Sequence, residues 1–242
     1  ITHEPIFYSH HDDDPGWLAT AAAQRKQAYL RETGMVVYRC HDVWDRVPGC
    51  GILDAWAAYL GLGEPLARGT FHSVHAIPPT TAWEVVERLS AQLARLGQQD
   101  VHFVGPKWRM VSRLGLGTGA ITQVREMLAL GADCLLVTDD GIATWREGSW
   151  AQDAGVPLII VNHAVAELAG VRGLAQHLRQ QFPETPVTLV EMGCGYQILA
   201  TERQRDEGVR MRRDTLDGLP PVVVPAGYSL RPMAADEVWA YM

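Results

Sequence analysis

A chain of 242 residues is long enough for one large domain or two small ones. With 47% hydrophobic and 20% charged residues, it has the composition of a folded globular protein with a sizeable core. The formal net charge of −7 is the wrong sign for a nucleic-acid binder, and no apolar run reaches the roughly 18 residues that span a membrane.

In chain order, the segment ITHEPIF reads as the tail of a strand running into a polar cluster, with further elements expected upstream. Residues 15–33 carry apolar positions at helical spacing and stop at Gly34, a good helix terminator. Residues 35–39 (MVVYR) predict a short strand, and 53–63 a helix ended by glycines. The clearest amphipathic helix covers 81–97. Thr80 or Thr81 is placed to cap it, and Glu84 stands three residues after Thr81. Strands are predicted at 101–105, 109–114, 134–138, 157–162 and 186–192, with helices at 119–131 and 165–182. Strands followed by helices of about a dozen residues imply an α/β sandwich with a largely parallel sheet. Residues 200–218 are mostly charged, without a core stripe. They are followed by a short predicted strand in LPPVVVPAGYSL and a last helical turn in DEVWAYM.

Open α/β sheets bind ligands beyond the carboxyl ends of their strands. Three such ends pair a histidine with a carboxylate: THEP with His3 and Glu4, CHDVWD with His41, Asp42 and Asp45, and NHAVAE with His163 and Glu167. His163 and Glu167, four residues apart at a helix start, are either a surface polar pair or two ligands of one ion. Imidazole nitrogens and carboxylate oxygens together suit Zn, Fe, Mn or Ni. Three histidines and four carboxylates exceed the needs of one four-coordinate ion; two ions sharing a carboxylate would use them better. His41 is open to two readings, as a ligand or as a neighbour that orients ligands and moves protons.

The other polar features have ordinary readings. The cluster YSHHDDD is a solvated loop or supports the site through His10 or Asp13. GLGTG (115–119) is a tight strand-to-helix turn near the site, with anion binding as the lesser alternative. His72, His75 and His102 read as structural, His177 as solvated, and Lys107 and Arg109 as surface residues. No GxSxG elbow is present and no cysteine has an evident histidine partner, so nucleophilic catalysis has little support. The four cysteines, Cys40, Cys50, Cys134 and Cys194, form no CxxC pair. Together with the absence of a secretory signal, they predict reduced thiols in a cytoplasmic protein.

The motifs THEP, HDVWD and NHAVAE resemble the HHP, HxxxD and GHxxxE motifs of the NIF3-like family, also known as GTP cyclohydrolase 1 type 2. GCGILDAWAAYLGLG, RLGLGTGAI and GADCLLVTDDG resemble its intervening segments, and the likeness covers roughly residues 1–195. The resemblance implies an α/β fold of two related halves, here residues 1–70 and 71–200, followed by an extension over 201–242. It also implies a ring-shaped homohexamer and a dinuclear centre of two divalent metal ions (Zn, Fe or Mn). Carried over by motif, the ligands would be His3, Glu4, Asp45, His163 and Glu167, with Glu167 bridging. Three positions depart from the pattern. Glu4 replaces a histidine, which adds negative charge and favours a harder metal than Zn. Asn162 and Asp139 each replace a glycine. The implied activity is metal-dependent hydrolysis of a small molecule, a nucleotide or phosphoester, with His41 or Asp42 moving protons. The alternative is a non-catalytic metal-binding ring that serves as a scaffold or regulator. No membrane or nucleic-acid partner is expected.

Overall fold

The computed structural model describes residues 1–197. The described residues group into one compact unit. The expected features at 200–218, in LPPVVVPAGYSL and in DEVWAYM lie outside the described residues, as does the extension over 201–242.

The architecture is the expected α/β fold around one mixed sheet. In chain order come α1 (Pro15–Leu18), α2 (Ala21–Thr33), α3 (Asp42–Asp45), α4 (Ile52–Tyr59), β1 (Pro65–Arg68), β2 (His72–Thr81) and α5 (Ala82–Leu93). Then follow β3 (His102–Val104), β4 (Met110–Gly117), α6 (Val124–Ala129), β5 (Cys134–Thr138), α7 (Ser149–Ala154), β6 (Leu158–Val161) and α8 (His163–Gln181). The six strands lie in the order β1-β2-β4-β5-β6-β3. Parallel pairing is confined to β4–β5–β6, and the other three pairings are antiparallel.

β5 and β6 are buried along their whole length, so both faces of the sheet are covered. Alternate residues go to opposite cores. Leu136 and Ile159 pack with α4, α5 and α8 through Trp56, Leu89 and Val165. Leu135 and Ile160 pack with α6 and α7 through Met127 and Ala151. A third cluster, Trp44, Ile52 and Leu174, ties α3 and α4 to α8. There the Trp44 indole donates to the Gly170 carbonyl at 2.9 Å. A β-carbon on Gly170 would stand 2.6 Å from the Ile52 backbone, so glycine is what lets α4 and α8 approach this closely.

The local signals that formed as read are the ones with a mechanism. Thr81 and Glu84 make a reciprocal capping box on α5: the Thr81 amide donates to the Glu84 carboxylate at 2.8 Å, and the Glu84 amide to Thr81 Oγ1 at 3.2 Å. Gly34 ends α2 in the left-handed region with φ of 65°.

Two predicted strands are absent as such. Residues 35–39 make only an isolated parallel bridge, Thr2 to Arg39, and Val36 is 87% exposed. An alternating pattern becomes a strand only beside an edge that can pair with it, and residues 1–3 supply one bridge's worth. Residues 186–192 are irregular. The side chains of Arg172 and Arg179 on α8 hold them, through Glu191 and the Val187 carbonyl, instead of a sheet edge. Conversely, β2 had no strand signal. Its histidines and the prolines at 78 and 79 mask the apolar alternation. The prolines fall where the β2–β4 register shifts, between Ala76 and Thr80, a position that spares ladder bonds.

Candidate metal centre

The three motifs converge. Thr2 pairs with the backbone at both Tyr38 and Cys40, at 2.9 Å each, and so carries His3 alongside the HDVWD segment. His3 Nδ1 lies 2.9 Å from the Cys40 carbonyl oxygen. A carbonyl only accepts, so Nδ1 is the protonated nitrogen and Nε2 carries the lone pair in the neutral ring. That Nε2 is buried and has no hydrogen-bond partner. It faces Asp45 Oδ1 at 3.2 Å, out of line for a hydrogen bond, and Glu167 Oε1 at 3.6 Å.

A single turn, α3, holds His41 and Asp45 on one face. The His41 ring stacks on His3 with centroids 4.6 Å apart. Its Nδ1 lies 2.5 Å from Asp42 Oδ1 and 3.5 Å from Asp45 Oδ2, and its Nε2 lies 3.4 Å from Glu4 Oε1. Asp42 sits at the exposed rim.

α8 begins where β6 ends and supplies the third pair. His163 Nε2 is 2.6 Å from Glu167 Oε1 and 3.5 Å from Glu4 Oε1. Its Nδ1 is 2.6 Å from Asp140 Oδ2, which fixes the ring so that Nε2 points into the cluster. The floor is Gly119, with φ of 69°. That left-handed backbone favours glycine, and a β-carbon there would touch His163 Nε2 at an ordinary 3.5 Å.

The electrostatics follow from this geometry. Burial disfavours a charged imidazole, but Asp45 and Glu167 outweigh it at His3 and raise it to about 10. At His163, Asp140 and Glu167 outweigh burial and raise the ring to about 11. Glu167 is nearly fully buried. Burial alone would raise it, yet His163 and His3 hold it well below the usual carboxylate range. Glu4 is pushed up by burial and then by the charge of Glu167. A group of this kind needs positive charge among its oxygens, supplied by protons on the imidazoles or by a metal ion.

The described residues contain two donor groups close enough to hold an ion, with ligand atoms within 4.8 Å of one another: His3, His41 and Asp45, and His3, Glu4 and Glu167. The orphaned, correctly oriented Nε2 of His3 fits this use. His3 belongs to both groups but has only one free nitrogen. The cluster lines a cleft of about 510 Å³ whose walls include Tyr8, His10, Phe71 and Ile121. Two larger clefts, of about 670 and 630 Å³, lie around Asp54 and Arg68 and around Arg125 and Arg146. Neither contains one of these donor groups.

All seven residues singled out from the sequence thus gather at one place: His3, Glu4, His41, Asp42, Asp45, His163 and Glu167. Two residues not counted among them belong there as well. Asp140 orients His163. Asp139 accepts from the backbone amides of His163 and Asp140, each at 3.1 Å, and from the Asn162 side chain at 2.9 Å. The two departures at 139 and 162 are therefore partners. Both aspartates follow β5, a fourth strand end open to the same rule. In YSHHDDD, His10 meets the His41 ring edge-on at 5.8 Å. Asp12 accepts from the Ile6 and Phe7 amides, and Asp14 caps α1. His75 is structural, bonded to the Gly63 carbonyl and to Ser73. Lys107 lies over Trp83 and Trp108, and Arg109 donates to the Gly155 carbonyl.

Fold and site together define an α/β protein with a buried His/carboxylate cluster, of metal-binding composition, where the segments after β5 and β6 meet the THEP and HDVWD segments. The chain belongs to the Duf34/NIF3 (NGG1p interacting factor 3) family, whose model matches residues 1–193. Its fold is similar to that of protein ybgI of unknown function, with TM-score 0.59, 19% identity, and coverage of 72% of this chain and 68% of that one. It is also similar to a Bacillus cereus protein related to NIF3 (TM-score 0.56, 11% identity, 74% and 76% covered). A third similar structure is reduced HcgD from Methanocaldococcus jannaschii (TM-score 0.53, 20% identity, 67% and 64% covered). No functionally curated protein matches this sequence. No helix among the described residues is long and apolar enough to cross a membrane.

Proposed function

We propose that this protein is a metal-dependent hydrolase of a small molecule, a nucleotide or phosphoester, with two divalent ions held by His3, Glu4, Asp45, His163 and Glu167. The observation that carries the reading is His3 Nε2: buried, without a hydrogen-bond partner, and facing two carboxylates while Cys40 fixes its other nitrogen. Divalent ions in such a site lower the pKa of water and polarise a carbonyl or phosphoryl oxygen.

The chain's own groups do the rest. Glu167 and Asp45 supply negative charge from within the protein, and Asp140 and the Cys40 carbonyl keep two imidazoles aimed. Asp42, exposed at the rim of the cleft and 2.5 Å from His41 Nδ1, is placed to pass a proton to or from a substrate. A cleft of about 510 Å³ admits a nucleotide-sized molecule. Family membership further suggests a ring of six copies, to be checked as a solution mass six times that of the chain.

The test is direct. Purified protein is assayed for bound metal, then screened against nucleotides and phosphoesters with and without chelator. Chelator-sensitive turnover that falls in Asp42→Asn while metal content is unchanged is the expected result. Bound metal with no turnover on any substrate would favour a scaffold or regulator, and no bound metal would end the reading.

A further inference from the structure

The six donors are not arranged evenly. His3, His41 and Asp45 form one group on the THEP and HDVWD side. His163 stands alone on the α8 side. Between them lie two carboxylate oxygens. Glu167 Oε1 is 3.6 Å from His3 Nε2 and 2.6 Å from His163 Nε2. Glu4 Oε1 is 3.4 Å from His41 Nε2 and 3.5 Å from His163 Nε2. Each glutamate therefore reaches one imidazole of the first group and His163.

Resting on the two-ion reading above and adding His41 to its ligands, we infer that Glu4 is a second bridging carboxylate, so that the centre is unsymmetrical: a site of His3, His41 and Asp45 joined by Glu4 and Glu167 to a one-histidine site. Three facts of placement support this. His3 has one free nitrogen and serves one ion only, so His163 is left as the nitrogen donor for the other. Asp140 holds the far side of the His163 ring, which aims its Nε2 between the two glutamates. Glu4 is half-exposed at the cleft mouth, where its carboxylate can adjust to two ions, whereas Glu167 is buried and fixed.

The chemistry of such a centre differs between its halves. An ion beside His163 would have one imidazole nitrogen and mainly oxygen ligands, the environment that suits Mn(II) and Fe(II). The His3, His41 and Asp45 side is richer in nitrogen and suits Zn(II) equally well. The glutamate at position 4 thus sets both the link between the ions and the choice of the second one.

The experiment compares the parent protein with Glu4→Gln and Glu4→His. Each is stripped of metal, checked for folding by circular dichroism and titrated calorimetrically with Mn(II). A bridge touches both ions, so Glu4→Gln is expected to weaken both binding steps by about tenfold or more. Weakening of one step alone, or of neither, with the parent still taking two ions, overturns the bridge and leaves the two-ion reading intact. In competition between Mn(II) and Zn(II), Glu4→His is expected to lower the Mn:Zn ratio in the second site about tenfold. An unchanged ratio overturns the selectivity. A folded parent that takes no ion, or only one, overturns the bridge together with the reading it rests on.

Discussion

Replacing Glu167 by glutamine keeps the shape of the side chain and removes its charge. In the metal-free protein this carboxylate is the shared partner of two raised imidazoles, at 3.6 Å from His3 and 2.6 Å from His163. Breaking a buried charge pair by removing one partner costs about 3–5 kcal/mol. Asp45 and Asp140 remain beside the two rings, so the lower end, about 3 kcal/mol, is expected here. For a chain of this size, that is a fall in Tm of roughly 6–12 °C. The effect on metal is separate. An ion present at one hundred times its Kd stabilises the parent by about 2.7 kcal/mol, a rise in Tm of roughly 5–10 °C. The glutamine variant should show little of that rise. The assay is thermal denaturation with and without Mn(II) or Zn(II), alongside elemental analysis of protein loaded and then desalted; the Lys107→Ala variant, whose side chain lies over Trp83 and Trp108, serves as a control outside the cluster. A Glu167→Gln protein as stable as the parent and carrying as much metal would refute the view that these side chains act as one charged unit.

Gly170→Ala should lower stability by about 1–3 kcal/mol in urea denaturation, because its β-carbon would press on the Ile52 backbone; an unchanged midpoint would contradict that close approach. In a double-mutant cycle, Asp139→Ala and Asn162→Ala should couple by about 0.5–3 kcal/mol, and simple additivity would mean that their 2.9 Å contact is energetically idle. The pH dependence of the metal-free protein has a definite sign. Against burial, neighbouring carboxylates raise His3 to about 10 and His163 to about 11, from an ordinary value of 6.5. Their stabilisation is full below about pH 6.5 and is lost as the pH rises towards 10–11. Glu167 is lowered, so its contribution is present above its ordinary 4.5 and fades only in stronger acid. The chelated protein should therefore be more stable at pH 6 than at pH 9, and a flat profile would count against the network. Since both rings are protonated at pH 7, metal binding there should release about two protons. Calorimetry in buffers of different ionisation enthalpy measures that number.

The parts of this protein legible in its sequence are those governed by near neighbours in the chain. The α5 capping box needs only Thr81 and Glu84, and the left-handed end of α2 needs only Gly34. The HxxxD and HxxxE pairs needed only the helical repeat to put His41 with Asp45 and His163 with Glu167. Short segments that pair histidine with carboxylate were enough to collect the site residues, although only NHAVAE follows a strand of the sheet. What depends on a partner far away in sequence was decided by the tertiary structure. Residues 35–39 and 186–192 have strand-like patterns but no sheet edge to complete them. β2 carries little strand signal, yet it is built because β1 and β4 pair with it on both sides. The kinship of Asp139 with Asn162, the one free nitrogen of His3 and the place of Glu4 between two imidazoles are relations across tens to more than a hundred residues. A side chain's charge and hydrogen-bonding groups are written at its own position, but whether they meet a cation, a carbonyl or water depends on which distant segments the folded chain packs against them.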